Sequence, residues 1–159
     1  AVRPLWHRVV ELSREPSHYA RSGVSDNVDG RFDMIVHLLS LAMLRMETSP
    51  EIGHLAAPLA ELFVEDMDGQ LRETGVGDSV GKHMGRLMSA LGGRLGALRK
   101  VMAVPAVGPD DAALTEVLIR NVHWVTGGGD PAILAASFRA LSADFAARSD
   151  ADMLAGKFG

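Results

Sequence analysis

Asp29-Gly-Arg-Phe-Asp-Met-Ile-Val-His-Leu-Leu-Ser-Leu-Ala-Met-Leu-Arg-Met-Glu47 decides the fold of this chain. Its apolar residues recur at helical spacing, with Phe32, Ile35, Val36, Leu39, Met43 and Met46 in one dense stripe. Met34, Leu38, Leu41 and Leu44 make much of the remaining surface apolar, and Asp29, Asp33, His37 and Ser40 share one narrow polar strip. A helix hydrophobic nearly all round has no face to offer water, so it should be central and buried.

Working outward, every periodic segment has a helical period and none reads as a strand. A first helix is expected from about Pro4 to Arg14, with Leu5, Val9 and Leu12 on one face and Pro16 as its stop. The turn-rich Ser22-Gly-Val-Ser-Asp-Asn-Val-Asp-Gly30 leads into the central helix. A third helix starts at Ser49-Pro50-Glu51 and stops at Gly75, with Pro58 expected to kink or divide it. The fourth is capped by Asp78 or Ser79 and runs to about Met102. After the linker Val104-Pro-Ala-Val-Gly-Pro109, helices follow over 110–122 and 131–148, the latter capped at Gly127-Gly-Gly-Asp130-Pro131. Ser149 can cap a short tail helix. The expected architecture is all-α: one domain over 1–159, a bundle of six to seven helices without a sheet.

Phe63-Val-Glu-Asp-Met-Asp-Gly-Gln-Leu-Arg-Glu-Thr-Gly-Val-Gly-Asp78 closes the third helix and opens the fourth. Leu55, Leu59, Leu62, Phe63 and Met67 define its inner face, while Glu61, Glu65, Asp68 and Arg72 line the outer one. Asp66 projects from the apolar side, where an ionised carboxylate needs a partner. Arg31, His37, Lys82 and Arg86 are the candidates, in a structural salt bridge or as polar contacts inside a binding groove.

The fourth helix shows three faces. Val80, Met84, Leu87, Met88, Leu91, Leu95 and Leu98 form an expected core stripe; Gly81, Gly85, Ser89, Gly92 and Gly96 form a stripe of small residues. Lys82, Arg86 and Lys100 form a basic face. Glycine in a helix interior costs about 1 kcal/mol against alanine, so the small stripe implies close approach by something. Intramolecular packing and docking of another protein both fit.

With 47% hydrophobic and 23% charged residues in 159, the chain reads as a globular domain, and its net charge of −4 disfavours direct nucleic-acid binding. The absence of cysteine removes disulfides, thiolate catalysis and thiolate-held metals. No apolar run reaches the roughly 18–20 residues that span a bilayer, so membrane contact is expected only at a surface. The start, Ala-Val-Arg-Pro-Leu-Trp, lacks both a signal-peptide core and an initiator Met, which suggests a trimmed N-terminus.

Gly75-Val-Gly-Asp-Ser-Val-Gly-Lys82 imitates a phosphate loop but has Val76 where a glycine is required and His83 where the magnesium-binding hydroxyl belongs. The Glu15/His18 and Glu51/His54 pairs have the spacing of di-iron ligands, but Pro16 breaks the first and the second sits in an exposed first turn. No metal or cofactor is expected. No nucleophile elbow appears. Most of the eight methionines take core positions, though methionine also suits a groove that adapts to varied partners.

Leu5-Trp-His-Arg-Val-Val-Glu-Leu-Ser-Arg-Glu-Pro-Ser-His-Tyr19, Val28-Asp-Gly-Arg-Phe-Asp-Met34, Phe63-Val-Glu-Asp-Met-Asp68 and Leu71-Arg-Glu-Thr-Gly-Val-Gly-Asp78 occur in order. Together they resemble the ubiquinol–cytochrome c chaperone family over roughly Leu5 to Arg99, and residues 101–159 carry no assigned motif. His18 stands where the family pattern usually has phenylalanine. The resemblance implies a non-enzymatic assembly chaperone, in style a bacterial member. It would act in the cytoplasm at the inner face of the membrane and hold newly made cytochrome b or another complex III subunit. The client or partner surface is expected as a groove on the second to fourth helices, built from Asp29, Arg31, Asp33, His37, Glu65, Asp66, Asp68, Gly81, Lys82, Gly85 and Arg86. The alternative is a small helical enzyme or ligand-binding protein with an inward polar site around Asp33, His37 and Asp66.

Overall fold

The computed structural model describes residues 1–73 and 80–159, apart from the side chains of residues 71, 72 and 80–83. The expected helix stop at Gly75 and Gly77 and the cap at Asp78 or Ser79 lie outside the described residues. Among those described, the order is α1 (Arg3–Ser13), α2 (Pro16–Ala20), α3 (Val28–Glu47), a 3₁₀ turn (Gly53–Leu55), α4 (Ala56–Glu73), α5 (Val80–Met102), α6 (Ala112–Asn121), α7 (Pro131–Ala147) and α8 (Asp150–Leu154). The architecture is all-helical. The nearest thing to a sheet is one isolated antiparallel bridge, Val24 to Trp124. Among the described residues no helix is long and apolar enough to cross a membrane.

The central helix is as buried as its sequence demands. Every residue from Asp33 to Met43 is buried. Three turns without an exposed position mean that neighbours close round α3 on all sides, and α1, α4, α5 and α7 all pack on it. Trp6 of α1, Phe63 of α4 and Phe32 of α3 knit one side, with Trp6 and Phe63 edge-to-face at 6.0 Å. Phe138 of α7 covers the other. The Asn27 side chain caps the helix by accepting from the Gly30 amide at 2.9 Å.

Two boundaries differ from the sequence reading. Pro16 does end α1, but it also opens the single turn α2, where proline at the first helical position costs no hydrogen bond. The third helix begins at Ala56, later than Ser49-Pro50 suggested; Pro58 therefore sits in its first turn, where amides have no intrahelical acceptor, and no kink is required. The Ser49 hydroxyl turns instead to the carboxylates of Glu51 and Asp150. The caps at Asp130 and Ser149 accept from Ile133 and Asp152 as their positions imply.

The C-terminal segment closes over the N-terminal helix. Arg8 on α1 donates to the carbonyls of Phe158 and Gly159, and Gly156 at φ 73° lies against Pro4. Phe158 stacks edge-on against Phe145 of α7 at 4.9 Å.

The core stripe of α5 is only partly core. Leu87, Leu91 and Leu98 are buried and Leu95 is half-buried, but Met84 and Met88 are exposed. The small stripe beside them is open as well: a Cβ added at Gly85, Gly92 or Gly96 would meet nothing within 4 Å. The expected intramolecular close approach is absent at these three positions.

Glycines in this fold thus have opposite meanings, and substitution separates them. Gly92→Ala should raise stability by about 0.5–1 kcal/mol, since it adds helix propensity into open space. A Cβ at Gly30 would drive into the Ser25 carbonyl, so Gly30→Ala should cost about 2 kcal/mol or more. Urea unfolding of the two variants measures both signs.

Candidate functional site

Two short-range contacts fold α2 back on the end of α1. The His18 imidazole Nε2 meets the Leu12 carbonyl at 2.8 Å, and the Tyr19 hydroxyl donates to the Ser13 carbonyl at 2.8 Å. Burial and then the Asp26 carboxylate hold the Tyr19 phenol above its ordinary pKa, so it stays protonated as that bond requires. This hook forms one wall of a groove of about 880 Å³. The first turns of α3 form the opposite wall through Val28, Arg31, Phe32 and Ile35, and Met67 of α4 and Leu87 of α5 also line it. Arg14, Asp26, Arg31 and Gln70 supply the polar part of the lining. Arg31 pairs with Asp26 at 2.8 Å, both largely in solvent.

Of the predicted site residues whose side chains are described, only Arg31 lines this groove. Asp29 and Glu65 are exposed, Asp68 is half-buried, and Arg86 and Gly85 are exposed on α5. The side chains of Gly81 and Lys82 lie outside the described residues. The groove also depends on Tyr19, Val28 and Ile35, which no candidate list contained; the Pro16 turn that presents Tyr19 was the available signal.

Asp66 has a partner on another helix, an indole. Its carboxylate accepts from the indole Nε1 of Trp6, a side chain only 1% exposed, while Asp66 itself stays exposed. Asp66 thus meets α1 through an indole while remaining exposed; of its candidate cations, the Lys82 side chain lies outside the described residues. A buried indole carries an apolar body and one N–H that must be satisfied, and Asp66 supplies the acceptor from α4 to α1.

Asp33 and His37 belong elsewhere, in the core. One Asp33 oxygen accepts from both the backbone amide and the Nδ1 of His123, each at 2.7 Å, across 90 residues. His37, fully buried one turn on, donates Nδ1–H to the Asp33 carbonyl at 2.7 Å and lies 5.9 Å from the Phe138 ring. Its Nε2 is buried without a hydrogen-bond partner. Burial pushes the His37 pKa down to about 4, opposed by the Asp33 carbonyl bond and carboxylate and aided by Arg94. His123, 59% exposed, goes the other way: the Asp33 bond raises its pKa. No hydrogen bond or ion pair joins Asp66 to Asp33 or His37, so the three do not form the inward polar site of the enzyme alternative. No cluster of three or more metal-ligand side chains occurs among the described residues.

Both arrangements make distinct predictions. Asp66→Ala should cost about 1–3 kcal/mol by leaving the Trp6 N–H unpaired, whereas Asp66→Asn, which keeps an acceptor, should cost clearly less. His37 stays neutral in the fold yet takes a proton near pH 6.5 when unfolded, so it removes stability as pH falls from 6.5 towards 4. Its share should reach roughly 2 kcal/mol at pH 5 relative to pH 7.5. The difference between wild type and His37→Leu in urea unfolding at the two pH values isolates it.

Comparison with known proteins gives this geometry its family. The model of the Ubiquinol-cytochrome C chaperone family matches residues 20–158. That span takes in the C-terminal segment for which no motif was assigned and omits the Leu5–Tyr19 stretch. No curated protein matches the sequence. Among solved structures, the crystal structure of the Cbp3 homolog from Brucella abortus is similar, with a TM-score of 0.78 and 30% identity over 98% of this chain and 85% of that one. On these two matches, the chain belongs to the ubiquinol–cytochrome c chaperone family.

Proposed function

We propose that this protein is a non-enzymatic assembly chaperone that holds newly made cytochrome b, or another complex III subunit, at the cytoplasmic face of the membrane housing that complex. The family supports a chaperone role. The observation that supports a specific contact surface is the groove between the α1–α2 hook and α3, with apolar lining from Phe32, Ile35, Met67 and Leu87 beside charged Arg14, Asp26 and Arg31. Such a surface takes an apolar segment by area while its polar groups set orientation.

The surface extends along α5. Met84 and Met88 are exposed beside Leu87, and Val28 on the facing wall is 74% exposed. Methionine adapts its shape to varied apolar partners without a large conformational penalty. Beyond them the stripe of Gly85, Gly92 and Gly96 leaves the helix backbone approachable by a second helix. An unassembled membrane subunit presents apolar helices that water does not tolerate, and a methionine-edged groove next to a bare helix face shields them without covalent chemistry.

Affinity capture from native membranes with the wild-type protein should recover cytochrome b or another complex III subunit; recovery of neither overturns the reading. Val28→Asp and Met88→Lys, both at exposed positions, should leave unfolding within about 0.5 kcal/mol of wild type while lowering capture several-fold. Gly85→Leu has room to fold, so reduced capture by that variant would include the small stripe in the contact.

A further inference from the structure

The loop between α6 and α7 lies as a strap across the entry to α3. Val125 N donates to the Gly23 carbonyl at 2.9 Å, Asp130 N to the Ser22 carbonyl at 2.6 Å, and Ser25 N to the His123 carbonyl at 2.9 Å. The approach is too close for side chains: a Cβ on Gly129 would lie 2.5 Å from the Ser22 oxygen, and one on Gly23 would lie 2.6 Å from the Gly129 Cα. Asp33 holds the strap at its start by accepting twice from His123. The strapped segment runs on directly into the Asp26, Val28 and Arg31 wall of the groove.

The fastened strap also carries a standing cost. Among the described residues the buried Trp124 indole N–H has no hydrogen-bond partner, which opposes closure. The catch is asymmetric: Asp33 is buried, while the His123 ring is 59% exposed. Release therefore needs the exposed His123 ring, the half-buried Trp124 and a glycine-rich loop to move, while α3 can stay in the core.

We propose that residues 123–130 form a clasp with Asp33 as its catch, which when fastened holds the α3 wall of the groove in shape and when released frees it. This rests on the groove being the client surface, and it assigns that surface a control from the C-terminal segment. His123 faces Asp33 and Asp29 on α3 and Arg94 on α5; the two acids favour its charged form and Arg94 opposes it. The clasp should therefore be tightest at mildly acidic pH and loosen as pH rises through the elevated His123 pKa.

Amide hydrogen exchange of the full chain without client tests this, comparing wild type with His123→Asn and Asp33→Ala. The strap amides of Ser25, Val125 and Asp130, and the rim amides of Gly30 and Arg31, should exchange at least about tenfold faster in both variants. Those of Phe63 and Leu91 should stay within roughly twofold in His123→Asn, which alters an exposed ring and keeps the fold even if Asp33→Ala loses it. In wild type, strap protection corrected for intrinsic rates should fall between pH 6 and 8, and His123→Asn should flatten that profile. The proposal is overturned if the rim stays protected while the strap loosens, if all amides accelerate together, or if the wild-type profile is flat. Because no client is present, loss of the chaperone reading in the capture experiment leaves these exchange results independent.

Discussion

A helix with no free face governs this molecule. From Asp33 to Met43 every position of α3 is buried, so the chain has to supply neighbours on all sides. They come from the whole length of the sequence: α1 and α4 from one side, α5 alongside, α7 from beyond the linker. The polar residues on that helix must also be accommodated inside. Ser40 and His37 return their donors to the carbonyls of Val36 and Asp33, and Asp33 recruits His123. An unpaired carboxylate at that depth would be driven to protonate, so the α6–α7 loop is drawn across the start of the helix by the needs of its core.

The same enclosure explains where the groove lies. With α3 fully covered in its middle, only its ends reach the outside, and at its first turns the α1–α2 hook stands off to leave a groove. The surface the chain leaves unfilled is continuous in character, apolar and adaptable at Met84 and Met88, then bare backbone along Gly85, Gly92 and Gly96. Such a face would be a defect in a protein that had only to fold, since alanine would stabilise each glycine position. It is consistent with the chaperone role that the family supports.

Much of this was legible from residue order, for local reasons. The all-round apolar pattern of 29–47 places the central helix, and caps such as Asp130 and Ser149 act within three residues of themselves. Asp66 could be placed inward by helical angle alone. Its partner could not, because Trp6 lies 60 residues away and an indole competes with every nearby cation as a donor. His123 is harder still: nothing around it is periodic, and its role exists only because a carboxylate 90 residues earlier is buried. The small stripe of α5 left two readings open, since helical spacing fixes a face but not what lies against it. Pro58 shows the limit at boundaries, where one proline serves equally as a breaker or as a first-turn residue.

The seating of Phe158 and Gly159 against Arg8 has a consequence for the order in which this protein matures. Synthesis is vectorial, and α1 emerges almost a full chain length before the residues that close over it. Contacts of such sequence separation are formed last, after the loop entropy of the intervening chain has been overcome. The flank of α1 around Leu12 therefore stays uncovered until residues 158 and 159 have emerged, whereas the α1–α2 hook, held by local contacts, can form early. The helix made first is thus among the last to be covered, because its partners lie about 150 residues further along the chain.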